Sequence, residues 1–228
     1  MTNQSADQVR LQFASTYPGS TGDLAHRLWN DLITLNATLA TFIQLYSDSD
    51  VVGTLNKTAP RFFSWLQGWL RVDLFLRIAR LTDSAHTAGR RNVCLAALEE
   101  DLRSIGALAA ANALGAALVP LLPVLWKVRR IRHRTLAHSD RKTVLREDSP
   151  LPSIQRQELE SLVDGLGEAF NDVDFLYRKS RTYFKGSDTL TGTEHLLAYL
   201  KEGHVAFEDK RRHALGAVDA LGYHTSEA

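Results

Sequence analysis

Cysteine is almost missing from this chain: Cys94 is the one thiol among 228 residues. A lone thiol builds neither an internal disulfide nor a cysteine-based zinc site, and it suits a reducing compartment. An excess of charge is missing too. The formal net charge is +1, so the molecule as a whole is not an electrostatic nucleic-acid binder, and any basic surface must be local. The first ten residues, "MTNQSADQVR", hold no apolar core of a secretion signal, which leads to a cytoplasmic expectation. Strand grammar is absent as well: no Val/Ile/Thr alternation runs between Asn-Gly or Asp-Gly turns. Metal-ligand spacing is also lacking. His195, His204 and His213 recur nine apart, which is not the spacing of a helical metal site, so neither metal nor other cofactor is expected.

Charge disappears altogether from Ile105 to Trp126, "IGALAAANALGAALVPLLPVLW", and a basic cluster follows. Length and flanking charge fit a membrane span. However, the first half is mostly Ala and Gly, which contribute little transfer energy, and Asn112, Pro120 and Pro123 interrupt the run. The reading taken is two abutting half-segments of buried helices, with no membrane partner.

The remaining pattern is helical. Leu24, Leu28, Leu32, Leu35, Leu39, Phe42 and Ile43 recur at three and four residues, which predicts a helix capped by Asp23 and running to about Tyr46. Pro60 suits the first turn of the next helix. That helix is apolar almost all round to Asp83, and is expected at the centre of a bundle. Trp65 and Trp69 within it are read as core, and Asp73 as paired with Arg77. A third helix is expected from about Asn92 through "VCLAALEEDLRSIGALA", and a fourth from about Pro120. A fifth is expected from a Ser153 cap to about Phe184, and a last amphipathic one around Leu196, Leu197, Leu200 and Phe207, with a tail frayed after Gly216. The fold class is therefore all-α, an up-and-down bundle of about five to six helices. Residues 1–20 read as a polar N-terminal segment, 21–186 as the bundle, and 187–228 as the C-terminal helix and tail.

Between Lys127 and Lys142 stand Lys127, Arg129, Arg130, Arg132, Arg134, Arg141 and Lys142, with Asp140 as the lone acid and His133 and His138 among them. A run of this kind is often a solvated face that offsets a helix dipole. Its nearly single sign sets it apart from the mixed faces elsewhere in the chain. "TLAH" also shelters His138 behind small and apolar residues.

The stretch "RHRTLAHSD" resembles the signature of HEPN domains, in particular the AbiU-type branch linked to abortive phage infection. Arg132 and His138 have five residues between them, as in that motif, and Ala137-His138-Ser139-Asp140 is similar to its ending. "LFLRIARLTD", ending at Asp83, and the helix start "NVCL" also fit, so the resemblance spans about residues 20–185. It implies an all-helical homodimer and metal-independent cleavage of RNA. Arg132 and His138 would be the catalytic pair at the dimer cleft. His133, Arg134, Asp140 and Asp83 would be supporting or rival groups, and Lys127, Arg129, Arg130, Arg141 and Lys142 would contact RNA. Partners implied are RNA, a second copy, and an antitoxin or nucleotidyltransferase. Two other readings stay open: a HEPN module that binds RNA or a protein without cleaving, and a structural helical protein.

The chemistry has its own logic. Attack of a ribose 2′-OH on the adjacent phosphate needs a proton acceptor, a proton donor and a cation for the developing charge. A histidine near neutrality serves the first two needs, and an arginine the third. Geometry raises one objection. Six residues on an ideal helix are about 120° apart, so Arg132 and His138 would not share a face, whereas Arg134 and His138 would. Either the helix breaks near Thr135, or Arg132 acts with His138 of the partner subunit.

Overall fold

The computed structural model describes residues 5–136, 150–185 and 192–220. Helices α1 (Ala6–Thr16), α2 (Thr21–Tyr46), α3 (Ser49–Thr58) and α4 (Pro60–Leu81) come first. A two-stranded antiparallel hairpin, β1 (His86–Thr87) and β2 (Arg90–Arg91), separates them from α5 (Leu95–Ser104) and α6 (Leu108–Leu118). A 3-10 turn at Val119–Leu121 joins α6 to α7 (Leu122–Ile131), and a π-helical turn follows at Arg132–Leu136. Helices α8 (Arg156–Arg178) and α9 (Thr193–Ala220) complete the order. The architecture is the expected all-α bundle.

Helix α2 is its axis. Leu28, Leu32 and Leu35 are fully buried, Leu39 nearly so, and the helix packs against α1, α4, α5 and α8. Burying these leucines supplies roughly 1.5–3 kcal/mol each relative to exposure. Helix α6 fills the space between α5 and α8 with small residues, Ala110 and Ala111, and with Leu114. A second, smaller core joins Leu45, Leu55 and Phe63 to Leu197 and Leu200 of α9.

Several boundaries differ from the sequence expectation. Asp23 lies inside the first turn of α2, where its charge complements the helix dipole, and Ser20 precedes the helix. The single third helix is two, because Gly106 turns the chain at φ +79° after Ser104. Gln155, not Ser153, caps α8 through a reciprocal pair of hydrogen bonds with Glu158, and Lys179 in the left-handed conformation ends it at Arg178. Helix α9 continues past Gly216 to Ala220. Trp65 and Trp69 are not core: they are 62% and 61% exposed. The Asp73–Arg77 pair is present, with Nε to Oδ2 at 2.5 Å. The charge-free run does form two abutting helices. With the turn after α7 they make one stretch, Leu108–Arg134, long and apolar enough by composition to cross a membrane. Only 22% of its most apolar window is buried, so the expectation of two buried helices holds along one stripe: Ala111, Leu114, Leu125 and Val128 are core, whereas Val119, Leu122 and Trp126 are exposed.

The polar N-terminus folds back onto this core through an unusual polar anchor. Asp174 of α8 is wholly buried. It accepts hydrogen bonds from Tyr17 Oη at 2.9 Å and from Arg178 Nε and Nη2 at 2.7 and 2.6 Å. The Arg178 guanidinium also lies 3.8 Å from the Phe13 ring centroid. Burial, then the neighbouring Asp174 charge, push the Tyr17 phenol far above its ordinary range, so it stays a donor. Gly22 permits the approach: a Cβ there would meet the Phe13 carbonyl oxygen at 2.5 Å and the Ala14 Cα at 2.8 Å.

Two stability outcomes follow from this anchor. Asp174→Ala leaves the Arg178 charge buried and unmatched, and is expected to cost about 3–5 kcal/mol in urea unfolding; a loss under about 1 kcal/mol would mean that the cluster is not desolvated. Gly22→Ala is expected to destabilise by about 1–3 kcal/mol through backbone collision. Gly53→Ala, in α3 with nothing within 4 Å of the added Cβ, should stabilise by about 0.5–1 kcal/mol. Equal effects at the two glycines would refute close packing of α1 on α2.

Candidate functional site

Helix α4 ends at Leu81, and two arginines of the cationic strip reach back to that end. Arg129 and Arg132 are three apart and share a face. Arg129 Nη2 donates to the Thr82 carbonyl oxygen at 2.5 Å, placing a cation where the α4 dipole is negative. Arg132 Nη1 donates to Asp83 Oδ1 at 2.7 Å. The two side chains are about one-third exposed (34% and 31%), so solvent screens the pair and its direct stabilisation is at most about 1 kcal/mol. Its larger effect is orientation: one N–H of the guanidinium is held by the acid.

The loop that presents Asp83 is itself tied down. Thr82 Oγ1 donates to the Ile78 carbonyl, Ser84 Oγ to the His86 carbonyl, and Asn92 Nδ2 to the Ser84 carbonyl and Thr87 Oγ1. The hairpin turns on Ala88 and Gly89, both at positive φ (+49° and +75°), as a type I′ turn requires. Ala-Gly lacks the Asn or Asp that announces such a turn, so the hairpin is not legible from local pattern. Cys94 lies buried beneath this loop, with Sγ 3.5 Å from the Ser84 carbonyl oxygen. Burial pushes its thiol up, which keeps it protonated and unsuited to nucleophilic work.

Thr82, Asp83, Ser84, Leu95, Leu122 and Arg129 contribute to the wall of an open cleft of about 420 Å³. The rest of the strip spreads around α7. Lys127 Nζ binds Glu158 Oε1 of α8 at 2.6 Å, and this bond, with the Gln155 amide, holds the Glu158 carboxyl below its usual range. The Arg130 guanidinium lies 5.3 Å from the Trp126 ring centroid, within cation–π range. His133 is exposed and Arg134 half-buried.

The turn Arg132–Leu136 bears on the geometric objection raised by the sequence. Its hydrogen bonds run i to i+5 rather than i to i+4, a local widening that recurs at functional sites. The regular 100° step of an α-helix therefore stops at Ile131. His138, Asp140, Arg141 and Lys142 lie outside the described residues. Of the residues singled out from sequence, the structure brings together Asp83, Arg129 and Arg132. It places Lys127, Arg130 and His133 on other sides of α7 and the turn. Sequence reasoning missed the Thr82 carbonyl and Trp126 as partners. The i, i+3 spacing of Arg129 and Arg132 was the signal for the first.

A family model described as AbiU2, of the HEPN class, matches residues 20–191. No curated protein and no solved structure gives a match. The matched span holds α2 to α8, Asp83 and the whole cationic strip, and leaves out α1 and α9. A match over most of the 228 residues, on an all-helical bundle with an acid-held arginine at the motif turn, makes this chain a member of the AbiU2 family of HEPN proteins.

Proposed function

We propose that this protein is a metal-independent endoribonuclease acting in phage defence or as a toxin, with Arg132 and His138 working at the cleft of a homodimer. The observation that carries the reading is the Asp83–Arg132 pair, 2.7 Å long and partly open to solvent, at the turn that bears the family motif. An arginine fixed by an acid and still reachable is preorganised for a phosphate. In the reaction, the ribose 2′-OH attacks the adjacent phosphorus while neutral His138 takes its proton. Arg132 donates hydrogen bonds to the non-bridging oxygens as charge builds. The P–O5′ bond breaks, the leaving 5′ oxygen takes up the proton that His138 accepted, and a 2′,3′-cyclic phosphate remains. Arg130, Arg141 and Lys142 contribute phosphate contacts along the strand. An antitoxin or nucleotidyltransferase partner would act on this centre.

A second reading, a module that binds RNA without cutting it, is favoured by one observation. Arg132 already shares its charge with Asp83 and Arg129 is held by a helix end, which weakens both as transition-state ligands while leaving the strip basic.

Assembly and binding are checked first. Light scattering after size exclusion should give about twice the 25.4 kDa of one chain. Affinity for single-stranded RNA should fall steeply with salt as counterions are released, with a log–log slope near −0.7 per phosphate contacted. A strict monomer at high micromolar concentration removes the shared cleft, and binding indifferent to salt removes the phosphate strip.

Cleavage separates the two readings. Activity should survive EDTA. His138→Ala should abolish it with most affinity kept, and Arg132→Ala should lower the rate by roughly 10²–10³. Asp83→Asn should slow cleavage while leaving affinity equal or higher, because it removes a negative charge beside the phosphate site. Loss at Arg134→Ala with none at Arg132→Ala would move the catalytic arginine by two residues. A wild-type dimer that binds a broad RNA panel and leaves it intact would eliminate the enzyme and retain the module.

A further inference from the structure

The N-terminal half of α4 carries a face that the described residues leave uncovered. Phe62, Trp65 and Trp69 are 50%, 62% and 61% exposed, and Leu76 continues the stripe at 37%. Phe63, between them in sequence, is buried in the smaller core, so the exposed rings occupy the opposite side of a firmly packed helix. Up to Asp73 the charge along this stretch of the chain has one sign. Lys57, Arg61 and Arg71 are exposed, and no acid occurs between Asp50 and Asp73. Asp73 is committed to Arg77 and Thr38. Arg80, exposed one turn beyond Leu76 on the same face, leads to Thr82 and Asp83, the residues gripped by Arg129 and Arg132.

We propose that this face is a stacking platform for single-stranded RNA, carrying the strand along α4 toward the Asp83–Arg132 pair. The proposal rests on the RNA reading above and adds a second contact region to it. Aromatic rings interleaved with cations bind single strands because every base has a face to stack and every linkage a phosphate to neutralise. The spacing fits. Trp65 and Trp69 rise about 6 Å from one another along the helix, and stacked nucleotides rise about 3.4 Å each, so one base sits between successive indoles. A second copy is a poorer occupant. Two-fold pairing of this face would set Arg61, Arg71 and Arg80 near the same cations of the other chain, with Asp73 already engaged.

The test uses the full chain and a twelve-nucleotide single-stranded RNA with 2′-O-methyl sugars, which cannot be cleaved by 2′-OH attack. Affinity is read by fluorescence anisotropy, stacking by quenching of tryptophan emission, and the fold by circular dichroism. Trp65→Ala with Trp69→Ala should weaken binding by roughly 5- to 100-fold per indole and remove most of the quenching. Trp65→Phe with Trp69→Phe should restore most of the affinity, which separates lost stacking from damaged folding. A blunt duplex of the same length should bind the wild type and the alanine variant equally. Single-strand affinity unchanged in the alanine variant, yet lost with Arg129→Glu and Arg130→Glu, overturns the platform and leaves the RNA reading standing. No binding by the wild type at low salt overturns both. A halved mass of the alanine variant in light scattering assigns the face to a second copy and overturns the platform.

Discussion

The end of α4 is held by two arginines that α7 sends back to it, and most of what this protein can do depends on that grip. The core aims them. Leu125 and Val128 are buried, and Arg129 and Arg132 each stand four residues later, on the same face one turn on. Packing of the two apolar residues against the bundle therefore fixes where the guanidinium groups emerge. They meet a carbonyl at a helix end and a carboxylate just past it, two acceptors of different kinds in consecutive residues. The arginine on the carbonyl is structural in the first instance. The arginine on the carboxylate is held by a side chain rather than by the backbone and stays about one-third exposed.

This arrangement also changes how the cationic strip acts. Read as a sequence it is a run of nearly unopposed positive charge. Folded, Lys127 belongs to Glu158, Arg129 to the Thr82 carbonyl, and Arg132 to Asp83. A phosphate arriving at the turn would compete with Asp83 for Arg132, and the outcome would be felt at the end of α4 through the Thr82–Asp83 link.

The long helices were legible because each buries a stripe at helical spacing, as Leu28, Leu32 and Leu35 do in α2. Their ends were less so. Gly106 and Lys179 stop helices by adopting positive φ, and periodicity does not encode that choice at a lysine. Helix α1 went unseen because Phe13 is its one buried residue among those described, too few to make a stripe. Trp65 and Trp69 were misplaced for a related reason. A helix apolar on all sides says that it packs, not which side packs. At the site, the motif and the preceding "LTD" put Arg132 and Asp83 on the page, but their contact joins residues 49 apart and depends on how α7 crosses α4. No local pattern carries that distance.

The two elements outside the family match explain how α4 comes to show its aromatic side. Helix α9 lays Leu197 and Leu200 onto the cluster of Leu45, Leu55 and Phe63, where Leu66 and Leu70 also pack. Phe63, Leu66 and Leu70 recur at three and four residues and define one face of α4. Once α9 and α3 cover that face, Phe62, Trp65 and Trp69 have nowhere to turn but outward. At the other pole, α1 closes the main core through Phe13 and Tyr17, anchored on Asp174 and Arg178. The additions therefore do not decorate the bundle at random. One seals its core and the other fixes the rotation of the helix whose far end holds Thr82 and Asp83, so the exposed rings and the acid-held arginine are set by the same rigid rod.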